Sequence, residues 1–311
     1  MASTSKATVP GGPSLGRSRP RYGELIIKVI LVLAAVVSVA TTIGIVAALL
    51  EPTIEFFGTV SVVEFFTSIE WGPLFNPPSF GVLPIVVATL LVTIIAMIVA
   101  IPLGLAAAIY LSEYAKPRVR KVIKPVLEVL AGIPTVVFGF FALTFVTPLL
   151  RDFLPFTLDY RNALSGGLVV GVMIIPTVAS LAEDAMSAVP NSLREGAYAL
   201  ASSRMIVSLR VVLPAALSGI IAAVILAFSR AIGETMIVVI ATGGRSIFTF
   251  SPAREMDTMA SFIARAGSGD VPVGSIEYKT IFAVGALLFV MTFLMNYVSA
   301  KVVRRYREAY E

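Results

Sequence analysis

The chain has 311 residues, 57% of them hydrophobic and 14% charged, with a formal charge of +5, and this composition belongs to a membrane protein rather than a soluble domain. It holds neither Cys nor His, which excludes disulfide frameworks, thiolate nucleophiles, Cys/His metal or haem sites and imidazole acid–base catalysis. There is no phosphate-cradling G-x-x-x-x-G-K-[ST] stretch, so any nucleotide energy has to come through another chain, and the surplus charge lies at the ends and in short loops, a sign of topology rather than nucleic-acid binding.

Residues 1–24 are rich in Ser, Pro and Gly without an apolar pattern, so a mobile cytoplasmic tail is expected there. A bilayer core of ~30 Å needs about 20 apolar residues in a helix. Six runs meet that length. The first transmembrane helix is expected within 25–50, its charge-free run extending from Val29 to Leu50; this is longer than the ~7–15-residue core of a cleaved signal peptide, so a retained span is favoured. Residues 51–79 carry four acids, no base and Pro73, Pro77 and Pro78, as expected of an extracytoplasmic loop. The other spans are a segment inside Trp71 to Ser112, Val129 to Leu150, Asn162 to Ala182, Val211 through about Gly244, and Thr280 to Ala300. Gly167, Gly171 and Ala106 to Ala108 mark close helix approach. Pro84, Pro102, Pro134, Pro148 and Pro176 predict kinks whose freed carbonyls must bond to neighbours or cavity water.

Basic residues are retained on the cytoplasmic side of a membrane. Seventeen Lys and Arg fall in the N-terminal segment, the loops after spans two and four and the tail 301–311, against six in the alternate connections. Both termini are therefore expected to be cytoplasmic, in a multi-pass protein of the cell membrane.

The long connection at 183–213 reads from Leu193 with Leu193, Ala197 and Leu200 at helical spacing. Asn191 or Ser192 could cap such a helix, and the neighbouring acids suit its dipole. An amphipathic helix in a cytoplasmic loop rests either on its own bundle and the membrane surface or in a groove of a partner. The stretch also carries Glu195, Ala197, Leu213 and Pro214 in the register of the pattern E-A-A-x3-G-x9-I-x-L-P, with Gly196, Ala201 and Val211 as departures. In this pattern the chain resembles the permease subunits of bacterial ABC importers. Alanine at 201, where the family has a turn-forming glycine, predicts a continuous helix, although Ser202 and Ser203 still permit a bend. The runs F-G-V-L-P from Phe80, P-L-G-L-A-A-A-I-Y-L-S-E-Y-A from Pro102, G-I-P-T-V-V-F-G from Gly132, P-T-V-A-S-L-A-E-D-A-M from Pro176 and S-R-A-I-G-E-T-M from Ser229 resemble the phosphate-specific permeases. The PstC-type subunit is the nearer match, with the PstA-type as the alternative.

Two charges, Arg230 and Glu234, interrupt span five. In a continuous helix Arg230 would lie ~24 Å from Pro214 and ~20 Å from Gly243, near the bilayer centre, where a charge costs ~2.5–3.5 kcal/mol and must face protein or a wet cavity. Spacing i, i+4 would place Glu234 on the same face. Either the two simply neutralise each other, or Arg230 offers its planar fork to an oxyanion while Glu234 holds the fork in place. The hydroxyls of Ser229, Thr235 and Thr242 are secondary pathway candidates that could equally bond their own backbone. The resemblance implies that Arg230 and Glu234 matter for transport.

The resemblance also implies an all-α, six-helix membrane protein with a type I importer (MetI-like) core at 80–300 and the first span packed outside it. It implies a PstA-type second permease, two copies of an ATP-binding subunit that use ATP and Mg, and an extracytoplasmic phosphate-binding protein. This chain would then have no catalytic, metal or cofactor residues of its own, and the membrane and inorganic phosphate, not nucleic acid, would complete its partners. The ATPase-coupling candidates are Ser192, Arg194, Glu195, Gly196, Ala197, Ala201, Arg204, Leu213 and Pro214, with Arg194 and Arg204 either pairing with acids on the ATPase or solvated. Other readings are a permease for molybdate or sulfate, a membrane enzyme or scaffold, and a passive channel.

Overall fold

The computed structural model describes residues 22–307, so the expected tail as far as residue 21, and the end of the tail 301–311 from residue 308, lie outside the described residues. Apolar segments with no water for their backbone must close their hydrogen bonds internally. Helices dominate accordingly. The chain divides into two units, the first ending at Ala48 and the second beginning at Leu49. The first unit is the leading part of helix α1 (Tyr22–Thr59), a mostly apolar run whose only charges as far as Ala48 are Glu24 and Lys28.

In the second unit α1 continues through Pro52 to Thr59, because Ile54, Phe56 and Phe57 sustain the apolar pattern and Phe56 is fully buried. The segment expected as a loop from residue 51 thus begins as helix. It continues with α2 (Val62–Thr67) and a small antiparallel pair, β1 (Trp71–Gly72) and β2 (Ser79–Phe80), in which Trp71 faces Phe80.

Helix α3 (Leu83–Tyr114) ends in a wide π turn at Tyr110–Tyr114. The amphipathic α4 (Pro117–Ala131) follows, and α5 (Thr135–Phe153) is the third span. The expected span from Val129 is therefore split: Pro134 disfavours helical backbone at Ile133, and Val129 to Ala131 close α4 instead. Helix α6 (Ala163–Ser187) starts at Asn162, whose side chain accepts from the Ser165 N–H at 2.7 Å. Then come α7 (Asn191–Ala199), α8 (Arg204–Ala215), α9 (Leu217–Ile232), α10 (Met236–Ala241), α11 (Met259–Gly267) and α12 (Ile276–Arg307). Helices α8 and α9 meet at 72°. Among the described residues five helices (α1, α3, α5, α6 and α12) are long and apolar enough to cross a membrane, six if the bent pair α8–α9 is counted as one broken span.

Helices α3 and α6 form the centre of the second unit. Ala88, Val92, Ala96 and Ala100 line one stripe of α3 against Val170, Ile174 and Val178 of α6, with Ala227 and Ala231 of α9 and Ile237 of α10 closing the core. The expected close approach is present: a Cβ on Gly171 would stand 2.7 Å from the Ala96 carbonyl, so only glycine lets the two backbones meet there.

Candidate functional site

The expected fifth span is not one helix. Helix α9 ends at Ile232, and Gly233 and Glu234 separate it from Thr235, the residue that precedes α10. Glycine is a poor helix former, and the Glu234 carboxylate lies back over the start of α10, accepting from the Ile237 N–H at 3.3 Å. Arg230 sits in the last turn of α9, exposed, with Nη1 3.5 Å from the Thr177 hydroxyl of α6. Among the described residues no ion pair joins Arg230 to Glu234. The expectation that the carboxylate steadies the guanidinium fails for a local reason: the helix breaks between them. Each charge instead suits a helix end, the cation at the C-terminus of α9 and the anion at the N-terminus of α10.

The hydroxyl candidates separate as well. Ser229 reaches α12, its Oγ 2.6 Å from the Asn296 amide oxygen. Thr235 bonds to its own backbone at the Gly233 carbonyl (3.2 Å), and the buried Thr242 to the Val238 carbonyl (2.7 Å). Arg230, Ser229, Thr177 and Asn296 thus form a polar strip where α9 meets α6 and α12. Thr177 and Asn296 gave no sequence signal beyond being polar inside apolar runs.

In the connection at 183–213, α7 begins at Asn191 without a side-chain cap, which corrects the expected capping by Asn191 or Ser192. The Asn191 amide oxygen is engaged by Arg194 instead, at 3.3 Å. Arg194 also donates to the carbonyls of Val189 (2.5 Å) and Met186 (2.7 Å), covering the C-terminal end of α6, and to Glu113 at 3.1 Å. Its side chain is largely shielded, 15% exposed. Arg204 lies over the ring of Tyr114, 5.4 Å from its centroid. Ser192, Glu195 and Gly196 are exposed, while Ala197, Leu213 and Pro214 are partly covered.

The expected continuous helix across Ala201 is also corrected. Helix α7 stops at Ala199, α8 starts at Arg204, and Ala201 turns the chain with φ of +58°. The bend survives the loss of glycine because the Ser203 hydroxyl accepts from the Ile206 N–H (3.4 Å) and starts α8 independently. A wide π turn at Ser208–Val212 then leads to the 72° corner before α9.

A second polar network, at the end of α6, gathers residues from α4 and α6. Glu183, fully buried near the end of α6, accepts from Arg120, from the Ser187 hydroxyl (2.9 Å) and from Lys124 (2.9 Å). Lys124 also pairs with Asp184 at 2.7 Å, and these two carboxylates raise its pKa above the ordinary lysine value, Asp184 the more. The spacing of Arg120 and Lys124, which puts both on one face of α4, was the available clue.

A protein-family model described as "binding-protein-dependent transport system inner membrane component" matches residues 100–308. The probable ABC transporter permease protein YqgH of Bacillus subtilis is 36% identical over 280 residues, covering 89% of this chain and 90% of that one. The phosphate transport system permease protein PstC 1 of Mycobacterium tuberculosis is 33% identical over 290 residues, covering 81% and 85%. PstC of Xylella fastidiosa is 32% identical over 250 residues, covering 74% and 75%. Among solved structures, a bacterial alginate ABC transporter superposes with a TM-score of 0.66 at 15% identity, covering 91% of this chain and 96% of that one. The MetNI methionine ABC transporter gives 0.52 at 17% identity, covering 73% and 94%, and both structures speak to the fold alone.

Proposed function

The chain belongs to the inner membrane components of binding-protein-dependent transport systems, and on that premise we propose that it is the PstC-type permease subunit of an ATP-driven inorganic phosphate importer. The observation that carries this reading is Arg230: an exposed guanidinium in the last turn of α9, with one hydroxyl contact and no carboxylate partner among the described residues. Such a fork is left free to donate to two oxygens of a tetrahedral anion. The likeness to PstC proteins supports phosphate as that anion.

In this reading the chain pairs with a PstA-type permease, two ATP-binding subunits and an extracytoplasmic phosphate-binding protein, and both termini are cytoplasmic. Bond cleavage in ATP belongs to the ATP-binding subunits. This chain converts their approach into motion. The exposed side of α7, with Ser192, Glu195 and Gly196, meets the ATP-binding subunit, and Arg194 ties α7 to the ends of α3 and α6 so that the loop moves with the bundle. Displacement of α8 passes through the corner at Ala216 into α9 and moves Arg230.

The test is reconstitution of the complete transporter in proteoliposomes. ATP-dependent uptake of labelled phosphate that excess sulfate and molybdate leave unchanged is the expected result. Uptake of either competitor in place of phosphate overturns the substrate, and assembly only with a second PstC-type chain overturns the subunit assignment.

A further inference from the structure

At the end of α6 opposite the coupling loop, the chain after α10 folds back over the α6 N-terminus. The Asn162 N–H donates to the Ala241 carbonyl and the Met256 N–H to the Thr242 carbonyl, both at 2.9 Å. Beside this fold lies an open cavity of about 600 Å³. A water takes about 30 Å³, so an oxyanion fits there with part of its hydration shell.

The cavity wall carries three arginines, Arg161, Arg245 and Arg265, and one acid, Glu255. Glu255 is engaged by the backbone, accepting from the Gly244 N–H at 3.0 Å. Arg265 is paired with Asp257. Arg161 and Arg245 make no ion pair among the described residues, so the wall keeps a net positive charge. The floor is Gly244, where a Cβ would collide with the Arg265 guanidinium; it follows the buried Gly243, whose φ is +96°. The buried Trp71 stands on the same wall, its Nε1–H a donor without a partner among the described residues. These arginines are three of the six cations on the side of the membrane where the chain otherwise sheds positive charge.

We propose that this cavity is an anion-receiving site, in which Arg161 and Arg245 take up a tetrahedral oxyanion beside the Trp71 ring before it passes to Arg230. The proposal rests on the oxyanion-permease reading, and α10, six residues or ~9 Å long, is the only helix between Glu234 and the glycine floor.

Trp71 is the one tryptophan of the chain and reports on the site directly. The full chain in lipid nanodiscs is titrated with inorganic phosphate at constant ionic strength while its tryptophan emission is read. A saturable change is expected. The Arg161→Gln/Arg245→Gln double variant should weaken it about a hundredfold, since each of the two charged hydrogen bonds lost is worth about tenfold. The charge-keeping Arg161→Lys/Arg245→Lys pair should weaken it less, and Arg230→Gln should leave it in place.

A flat wild-type titration overturns the proposal, as does a response that chloride reproduces, that survives both glutamine substitutions, or that Arg230→Gln abolishes. A flat titration joined to lost association with the binding protein in the double variant assigns the arginines to an acidic protein face instead. Uptake by the wild-type transporter is followed in parallel. Uptake with a silent Trp71 overturns the site alone, whereas a responsive Trp71 without uptake supports the site and overturns phosphate import.

Discussion

Arg194, in the first turns of α7, stands 3.1 Å from Glu113 at the end of α3, and both side chains are largely shielded, at 15% and 4% exposure. The same guanidinium covers the carbonyls of Met186 and Val189, so one side chain joins three segments at this end of the bundle. Removing one member of a buried pair leaves the other uncompensated, at a cost of about 3 kcal/mol. Arg194→Ala is expected to lower the thermal stability of the purified chain and to uncouple ATP hydrolysis from uptake, while Arg194→Lys, which keeps the charge without the fork, loses less of both. Unchanged stability combined with lost binding of the ATP-binding subunit would make Arg194 a docking residue.

Ala201 holds a left-handed backbone, φ +58°, which costs a residue with a Cβ about 1–2 kcal/mol relative to glycine. Glycine gives back part of that gain through the greater freedom of its unfolded chain. Ala201→Gly is therefore expected to stabilise the chain by about 0.5–1 kcal/mol without moving α7 or α8. Ala201→Val, with branching at Cβ, is expected to destabilise it. Thermal unfolding of both variants against the parent in one detergent checks the order.

These two sites mark the boundary of what the residues disclosed by themselves. The spans were legible because ~20 apolar residues in a row have few alternatives in a bilayer, and the family pattern located the loop with Glu195, Leu213 and Pro214 in register. The breaks at Gly132–Pro134 and Gly233–Thr235 were not legible, since a local preference of about 1 kcal/mol decides them only once neighbours compete for the freed backbone groups. The Glu183 cluster and the cavity arginines were hidden for another reason. Their partners lie far apart in the chain, Arg120 being 63 residues from Glu183, and periodicity carries no information at that range.

Arg230 and Glu234 were expected to act as a pair, and their separation by the helix break changes what substitution should do. Arg230→Gln is expected to abolish phosphate uptake without preventing assembly, because the fork is lost while Thr177 keeps a hydrogen-bonding neighbour. Glu234→Gln should impair uptake less, since its amide oxygen can still accept from the Ile237 N–H. With no shared partner, the two sites should add to within about 0.5 kcal/mol. A double-mutant cycle using Arg230→Lys, which leaves a rate to compare, measures this in proteoliposomes. Coupling of several-fold in rate would restore the ion pair.

Asp257 offers a test by pH at the opposite end of the bundle. It is buried between α10 and α11, faces Arg265, Ser246 and Ser261, and has its pKa raised from 3.8 to about 6, chiefly by burial, against the opposing pull of Arg265. The folded chain therefore holds this proton more tightly than the unfolded chain does. Its contribution is fully present below pH ~4 and is lost as the pH rises through ~6, a swing of about 3 kcal/mol at most. Asp257→Asn fixes the neutral form and removes the swing. Carboxylates elsewhere titrate alike in both proteins, so the informative quantity is the difference between them. Between pH 7.5 and pH 4.5 the wild type should gain thermal stability relative to Asp257→Asn. A difference that stays constant over this range would mean that the Arg265 guanidinium keeps Asp257 ionised throughout.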